Sequence, residues 1–395
     1  MTTPAWWRPR AQLRRFVTDA IADELFRQRR RAPARPQPWD ESLSLTEDLG
    51  VDSLELMALA TVLSEALHVH ESGVEDYLLA RRRLGDWVDL AGIALETFSG
   101  RLTFRTSGSS GIPKPCVHDL AALAEEIPVW AALLPGRKRV LTAVPCHHIY
   151  GFLFTLLLPQ SASVHDIVDL RGSAPGWLAT VARPGDLVVG HPEFWASVAR
   201  TVPRMPADVV GVSSTAPCPD ALATALEQNG LAALLQVYGS SETAGVGWRL
   251  APREPFQLLP HWRIDGDALV RTSSVPTQDV VLQDKLEALG DAKFRVLGRK
   301  DQAVQVGGVN VHPARVREVL LKHPLVADAA VRLMRPEEGT RLKAFIVPRP
   351  GAQEDVLAAL ERWIDSELAT PERPKAITVG AALPVSAEGK LQDWA

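Results

Sequence analysis

A run of small polar residues that ends in a lysine is the first candidate for chemistry in this chain. Residues 105–118 read RTSGSSGIPKPCVH. Glycines let backbone amides turn towards an anion, hydroxyl groups add hydrogen-bond donors, and the lysine supplies positive charge. The Walker A pattern GxxxxGK[ST] is absent, but a Ser/Gly linker would not need a Pro-Lys end. We therefore predict a phosphate-binding loop formed by Thr106, Ser107, Gly108, Ser109, Ser110, Gly111 and Lys114.

Ser53 is a second candidate, in the segment LTEDLGVDSLELMALATVLSEAL. Leucines at 56, 59, 63 and 67 recur three or four residues apart, which predicts a helix with one apolar face. Asp52 and Glu55 could cap its start. Backbone N–H groups and the helix dipole at such a start favour an attached phosphate, although many serines there are only helix caps.

Composition and length limit the function classes. The chain has 395 residues, enough for two or three domains, with 46% hydrophobic and 23% charged residues. The net charge of −4 gives no reason to expect a nucleic-acid partner. The three cysteines have no metal-ligand spacing, and no signal peptide or apolar run of membrane-spanning length is present, so we expect a cytoplasmic protein without a membrane partner. The arginines of RQRRRAPAR, residues 27–35, are typical of a solvated loop, or alternatively of a docking patch for an acidic partner.

The elements that would position these residues change in type along the chain. Residues 10–95 show helical periodicity, broken by the proline-rich RAPARPQPW. From about residue 102, strand-like runs such as DLVVGHP and ADVVGVSS alternate with helical ones, which predicts an α/β region. After residue 299 a smaller segment alternates strands and helices. We expect a multidomain protein.

The segment 10–95 resembles acyl carrier proteins, through LGVDSLEL around Ser53 and the closing helix LGDWVDLA. The resemblance implies a four-helix carrier bundle over residues 1–95, with 4′-phosphopantetheine on Ser53 and a phosphopantetheinyl transferase as partner. One departure is the arginine-rich first loop, because carriers of this kind are usually acidic.

The remainder resembles the adenylate-forming enzymes, which include acyl-CoA ligases, carrier-loading adenylation domains and luciferases. The loop RTSGSSGIPK is followed in the family's order by PCHHIYGF, SSTAPC, YGSSET, GRKDQAVQVGGVNVHP and LPVSAEGK. Asp284 precedes Arg299 by 15 residues, the family's spacing for its ribose-binding pair, with LQD in place of the usual TGD. The resemblance implies a reduced α/β core over residues 96–298 and a small, mobile α+β C-terminal domain over 299–395.

The resemblance also implies a role for each matching residue. The adenine-binding turn would be Ser214, Thr215, Ala216 and Pro217, and the next motif would contribute Tyr238, Gly239, Ser240 and Ser241. Tyr238 would stack on adenine, Ser241 would touch the α-phosphate, and Glu242 would hold Mg²⁺. His148, Tyr150, Gly151 and Asn310 would line the acid pocket. Lys390, Glu242 and His148 would be catalytic, with Asp301 as the hinge.

The implied chemistry begins with a carboxylic acid joined to AMP from ATP, after which a thiol attacks the acyl-AMP. Gln305 and Gly307 stand where coenzyme A ligases often have lysines, which weakens the case for free coenzyme A. The compact length and PCHHIYGF resemble bacterial 4-coumarate ligases, which suggests an aryl or arylacrylic acid. The leading interpretation is loading of that acid onto Ser53, with an acyltransferase or synthase downstream. The alternatives are a 4-coumarate-type ligase that uses free coenzyme A and has a vestigial carrier unit, and a non-catalytic acyl carrier scaffold.

Overall fold

The structure, a computed structural model, describes residues 5–33, 35, 37–106, 114–250, 253–273, 280–335, 337–351, 356–384 and 392–394. The chain divides into two compact units. The first contains the described residues of 1–106, 114–282 and 286–295, and the second contains those of 283–285 and 296–394.

The first unit begins with helices, as the periodicity predicts. They are α1 (Arg10–Arg29), α2 (Ser53–Leu67), α3 (Glu75–Ala80) and α4 (Leu84–Thr97). The predicted cap of α2 is present, because Asp52 Oδ1 accepts a hydrogen bond from Glu55 N at 2.8 Å and Glu55 Oε2 accepts one from Asp52 N at 3.2 Å. The four predicted leucines of α2 are all buried.

These helices share one core with the α/β region that follows, which corrects the expectation of a separate carrier bundle. The Trp6 and Phe16 rings lie 5.0 and 6.2 Å from the ring of Phe152. On α1, Asp19 Oδ2 accepts a hydrogen bond from Cys146 N at 2.8 Å. A carrier domain must move in order to reach its partners. Such a movement would expose the buried apolar cluster that is continuous between the helices and the α/β region. The apolar stripes of α1 and α2 pack against the sheet region as well as against each other.

A nine-stranded sheet forms the centre of the α/β region, in the order β13-β14-β9-β8-β7-β6-β5-β3-β4. Its β4, β3, β5, β6 and β7 run parallel, and β7, β8 and β9 are antiparallel. The strands are β3 (Arg139–Thr142), β4 (Ile167–Asp169), β5 (Asp186–Gly190), β6 (Val210–Ser213), β7 (Ala233–Ser240), β8 (Ala244–Arg249), β9 (Phe256–Leu258), β13 (Asp284–Gly290) and β14 (Lys293–Arg299). Fully buried β5 reads as a continuous apolar run, as expected for a central parallel strand.

Two small sheets and several helices complete this region. One sheet is the hairpin of β1 (Arg101–Arg105) and β2 (Pro115–Asp119), and the other joins β10 (Trp262–Asp265), β11 (Ala268–Arg271) and β12 (Val280–Val281). The helices are α5 (Leu120–Ala124), α6 (Ile127–Leu133), α7 (Ile149–Phe152), α8 (Leu158–Ser161), α9 (Leu178–Val181), α10 (Pro192–Thr201) and α11 (Asp220–Gln228). Residues 153–157 form a π-helical turn between α7 and α8.

The second unit contains the smaller α+β arrangement that the sequence predicts. A hairpin of β15 (Val304–Val306) and β16 (Val309–Val311) precedes α12 (Pro313–Leu321). A three-stranded sheet follows, with β17 (Val326–Leu333), β18 (Leu342–Pro348) and β19 (Ala376–Val379) in that order, and with α13 (Val356–Glu367) between the last two strands. Val316 and Leu320 of α12 and Leu360 of α13 are buried in one core with the sheet.

Across the described residues, none of the helices combines the length and the apolar composition that a membrane crossing requires.

Candidate active site

Three of the predicted motifs lie at the carboxyl edge of the parallel strands. PCHHIYGF follows β3, SSTAPC overlaps the end of β6, and YGSSET follows the middle of β7. Gly190 and His191, which no motif pointed to, follow at the end of β5. Because the carboxyl ends of neighbouring parallel strands meet at one edge, the topology gathers these loops. Ligands of open α/β sheets bind in such a crevice.

Residues 143–152 follow β3 and turn sharply into α7. We call this segment, which includes α7, the β3 loop. A Cβ on Gly151 would lie 1.9 Å from the Pro145 carbonyl oxygen, so only glycine fits there. The buried Tyr150 donates a hydrogen bond from its hydroxyl to Gly190 O at 2.9 Å, which joins the β3 loop to the end of β5. Tyr150 and Gly151 therefore shape the edge, and their role as acid-pocket residues stays a prediction.

His147 and His148 lie side by side on the β3 loop, with ring centroids 4.1 Å apart. The side chain of His148 is accessible to solvent, yet the protein around it desolvates the ring, and this desolvation with the neighbouring His147 lowers the pKa of His148 to about 3. His148 is therefore neutral near pH 7 and can donate a hydrogen bond to a carboxylate without carrying charge. That state suits its predicted position beside the acid.

Two carboxylates on α1 hold the β3 loop, and sequence reasoning missed both. Asp19 is buried. In addition to the hydrogen bond from Cys146 N, it accepts one from Arg171 Nη2 at 2.8 Å. Burial raises the pKa of Asp19, but Arg171, His147 and the hydrogen bond from Cys146 N together outweigh it, so the net shift is downwards. Asp23 Oδ2 lies 3.6 Å from His147 Nε2. The available signal was the position of Asp19 within the largely apolar run FVTDAIA, residues 16–22.

The predicted adenine turn begins at the end of β6. Ser214 donates a hydrogen bond from Oγ to Val237 O at 2.9 Å, which links the turn to the strand that carries Tyr238. Thr215 adopts a φ of 80°, unusual for a β-branched residue and a form of local strain that often marks ligand-binding turns. Ala216 and Pro217 follow at the surface, the first half-buried and the second exposed.

Tyr238 belongs to an aromatic cluster at the end of β7. Its ring centroid lies 5.8 Å from that of Phe256 and 5.5 Å from that of Phe294. A β-bulge between Tyr238 and Gly239 bends the strand here, and a Cβ on Gly239 would lie 2.1 Å from Ala244 O. The predicted stacking of Tyr238 on adenine stays a prediction.

The turn at 239–243 (the β7 turn) is held mainly by its own side chains. Ser240 N donates to Thr243 Oγ1 at 3.0 Å, and Glu242 N donates to Ser240 Oγ at 3.2 Å. This leaves the Glu242 side chain exposed. A carboxylate oxygen open to solvent is a suitable ligand for Mg²⁺, which prefers oxygen donors and keeps several waters.

His118 and Glu126 support the β7 turn, and both were missed. His118 Nε2 lies 2.7 Å from Ser241 O and donates to it, because a carbonyl oxygen can only accept. Glu126 Oε1 accepts from Gly245 N at 2.9 Å, and its Oε2 accepts from Trp130 Nε1 at 3.1 Å. Burial raises the pKa of Glu126 to about 8, so the carboxyl is mostly protonated at neutral pH. Both residues are far from the motif in sequence, which is why no local pattern revealed them.

The ends of the predicted phosphate loop meet at the top of the β1–β2 hairpin. Thr106 N donates to Lys114 O at 3.0 Å, and Lys114 N donates to Thr106 Oγ1 at 3.2 Å. The loop connects two antiparallel strands. Ser107, Gly108, Ser109, Ser110 and Gly111 lie outside the described residues, and so does Lys390.

The second unit brings together Asp284, Arg299 and Asp301. Arg299 Nε and Nη2 donate to the two Asp301 carboxylate oxygens at 2.7 and 2.6 Å, and Arg299 Nη1 lies 3.7 Å from Asp284 Oδ1. The hydrogen bond from Arg299 is the main cause that lowers the pKa of Asp301 to about 2. The predicted ribose-binding pair is thus adjacent to the predicted hinge residue. Nearby, Asn310 on β16 is hydrogen-bonded to Gln305 on β15.

Ser53 is exposed at the first turn of α2. The loop before it is tied to α1, because Arg29 donates hydrogen bonds to Leu49 O at 2.9 Å and to Gly50 O at 3.0 Å. Asp52 and Glu55 form the cap that the sequence predicts. This geometry accounts for the motif as a stable helix start.

Two clusters within the described residues could offer metal ligands besides Glu242. Asp23, His147 and His148 form one, and His68, His70 and Glu71 form the other, with ligand atoms within 4.8 Å in each. The second cluster lies away from the strand ends, at a turn after α2.

Comparisons with known proteins agree with this arrangement. The AMP-binding enzyme family matches residues 104–278, and the AMP-binding enzyme C-terminal domain matches residues 316–390. A 4-coumarate–CoA ligase of Cereibacter sphaeroides is 42% identical over 366 residues, which cover 90% of this chain and 87% of the relative. A 4-coumarate–CoA ligase of Halorhodospira halophila is 39% identical over 387 residues, which cover 96% of this chain and 97% of the relative.

The second of these matches also bears on the N-terminal helices. It leaves only 4% of this chain unmatched, so most of residues 1–95 have a counterpart in a ligase of similar length. The solved amide bond synthetase McbA of Marinactinospora thermotolerans shares the fold over 96% of this chain and 93% of its own, at a TM-score of 0.60 and 17% identity. The helices are therefore part of the enzyme fold. The chain belongs to the AMP-binding family of adenylate-forming enzymes, and it is an AMP-forming acid–thiol ligase.

Proposed function

We propose that this protein joins an aryl or arylacrylic acid to free coenzyme A through an acyl-AMP intermediate. The observation that carries the proposal is the similarity to relatives named 4-coumarate–CoA ligase, at 38–42% identity over 88–96% of the chain. The loops at the carboxyl edge of the sheet support it, because each carries the residue types that the reaction needs.

The first step forms the mixed anhydride. An oxygen of the acid's carboxylate attacks the α-phosphorus of ATP, and the bond to pyrophosphate breaks. In this proposal, Ser241 and Lys114 bind phosphate oxygens, and neutral His148 donates a hydrogen bond to the acid. Mg²⁺ bound at Glu242 would neutralise charge on the phosphates as pyrophosphate leaves. Lys390, which lies outside the described residues, would contact both reacting groups.

The second step forms the thioester. The thiol sulfur of coenzyme A attacks the acyl carbon, the bond to AMP breaks, and the thiol proton leaves to solvent. The hinge role of Asp301 belongs here, because in the proposed cycle the C-terminal domain moves between the two steps. Asp284 and Arg299 would bind the ribose hydroxyls of AMP throughout.

The carrier hypothesis is the second candidate, and the exposed position of Ser53 beside exposed Leu54 and Met57 favours it. The core that the helices share with the α/β region weighs against it. To load Ser53, either the helical bundle would have to move, or a phosphopantetheine arm on Ser53 would have to span the distance to the acyl-AMP. We therefore rank free coenzyme A as the acceptor above Ser53.

The test measures acceptor and acid together. The full chain is incubated with ATP, Mg²⁺ and a panel of aryl, arylacrylic and fatty acids, with and without free coenzyme A, after treatment with a phosphopantetheinyl transferase. We expect AMP release and an acyl-coenzyme A product that require free coenzyme A and an aryl or arylacrylic acid. Intact-protein mass spectrometry should show no added mass on Ser53, and Ser53→Ala should leave turnover unchanged. An acylated pantetheine on Ser53 would establish the carrier hypothesis instead.

A further inference from the structure

Helix α1 presents two carboxylates, one helical turn apart, to the β3 loop. Asp19 and Asp23 are four residues apart and therefore lie on one face. Asp19 holds the backbone of the loop at Cys146, whereas Asp23 faces the side chain of His147 at 3.6 Å. Helix α1, in which Asp19 lies 127 residues before Cys146, therefore holds both the backbone and one imidazole ring of the β3 loop.

His147 depends on Asp23 for its polar contact. The His147 side chain is only 12% exposed. Within the described part of the chain, neither of its ring nitrogens has a partner at hydrogen-bond distance, which leaves the Asp23 carboxylate as its charged neighbour. The imidazole also packs on the ring of His148, with the ring planes 40° apart. The position of the His147 ring therefore limits where the His148 ring can lie.

We propose that Asp23 and His147 are positioning residues that hold His148 against the carboxylate of the acid, so that helix α1 forms a wall of the acid site. The inference rests on the proposed function, in which His148 contacts the acid.

A small cavity marks the junction. It has a volume of about 30 Å³ and lies between α1, α2, β1 and the two histidines. Its charged and titratable lining residues are Asp23, Glu24, Arg27, Glu65, Arg105, His147 and His148. The cavity is the size of a water molecule, so the acid itself must lie on the other, open side of His148. The carboxylate end of the acid would then contact His148 while α1 supports the ring from behind.

The positioning role of Asp23 depends on its negative charge. Burial alone would raise the pKa of Asp23, but His147, His148 and Arg27 outweigh it and lower the pKa to about 2. Asp23 is therefore ionised at every pH at which the enzyme would be assayed. Asp23→Asn keeps the shape and removes this charge, which releases His147 and, through it, His148.

The kinetic test separates binding of the acid from binding of ATP. Because small misplacements of a reacting group are costly, Asp23→Asn should lower kcat/KM for the acid about 10- to 100-fold, with KM for ATP changed by less than about twofold. Asp23→Glu should recover part of the loss. Arg15→Gln is the matched control, since Arg15 ties α1 to Thr155 O at 3.2 Å away from the histidines. It should lower thermal stability but leave the KM for the acid unchanged. Equal kinetic effects of the two variants would overturn the proposal.

A second measurement needs no turnover. Nuclear magnetic resonance of ¹⁵N-labelled histidine rings, with His148→Gln used for assignment, should show a changed ring signal of His148 in Asp23→Asn and an unchanged one in Arg15→Gln. An unchanged signal in both variants would overturn the positioning role. If the wild type activates no acid, the proposed function fails, and the ring signals still decide whether Asp23 positions His148.

Discussion

The β3 loop and the β7 turn both follow parallel strands of one sheet, yet the protein holds them in different ways. The β3 loop is held from a distance, by Asp19 and Asp23 of α1 and by the hydrogen bond from Tyr150 to Gly190. The β7 turn is held mostly by itself, through Ser240 and Thr243. His118 and Glu126 add two contacts beneath it.

The difference follows from what each segment has to do. The β3 loop is buried at Tyr150 and Gly151, where a polar group needs a protein partner, and the N-terminal helix supplies Asp19 as the partner of Cys146 N and Asp23 as the charged neighbour of His147. The β7 turn ends in the exposed carboxylate of Glu242, whose proposed role is to bind a solvated cation, and a self-contained turn leaves that side open. The N-terminal helix therefore contributes directly to the first segment, whereas the hydrogen bonds of the second come mainly from its own side chains.

Alanine substitutions of two glycines, one in each segment, should give the largest difference between the β3 loop and the β7 turn. A Cβ would lie 1.9 Å from a backbone carbonyl at Gly151 and 2.1 Å at Gly239. Because Gly151 is buried and Gly239 is exposed on a bulged hairpin that can shift, Gly151→Ala should lower the free energy of unfolding by about 3 kcal/mol and Gly239→Ala by about 1 kcal/mol. Urea denaturation measures both. Gly172→Ala is the control, since no atom lies within 4 Å of its added Cβ, and equal losses at 151 and 239 would refute the difference.

The comparison also shows what the sequence could predict. The helical period of residues 10–29 and 53–67 and the apolar runs of β5 and β6 are local properties, so these elements were predicted correctly. Three of the site motifs, PCHHIYGF, SSTAPC and YGSSET, could be recognised locally because each is a short segment at a strand end. Their convergence follows from the parallel topology of the sheet.

The surroundings of those motifs could not be predicted in the same way. The apolar stripe of α2 predicts that one face is buried, but it does not identify what covers that face, and so a carrier bundle fitted the same pattern. Asp19, His118 and Glu126 contact residues 127, 123 and 119 positions away. Only the tertiary fold brings such pairs together, so no spacing rule could reveal them.

Glu126 gives a pH-dependent test of the β7 turn. Because burial raises its pKa from 4.5 to about 8 in the fold, its contribution to stability is fully present below pH 4.5 and is lost as the pH rises towards 8. Glu126→Gln does not titrate, so the melting temperature of this variant relative to wild type should rise steadily between pH 5 and pH 8. Scanning fluorimetry measures the trend. Glu125→Gln, next to it and paired with Arg271 on the partly exposed side, should show no such trend. A constant difference between Glu126→Gln and wild type would contradict the buried protonated state.

His118 gives the smallest and most local test, because it touches the β7 turn at one atom. Its Nε2–H donates to Ser241 O, and desolvation lowers the pKa of His118, so the neutral ring is the donor near pH 7. His118→Phe keeps a ring beside Phe104, 5.9 Å away in the wild type, but leaves the carbonyl without its donor. The loss of about one hydrogen bond, or about 1 kcal/mol, should lower kcat roughly fivefold through misplacement of Ser241 and Glu242. His118→Gln, whose amide nitrogen reaches as far as Nε2, should stay close to wild type. If instead both variants lose activity equally, ring packing rather than the hydrogen bond supports the turn, and the β7 turn depends on its surroundings as much as the β3 loop does.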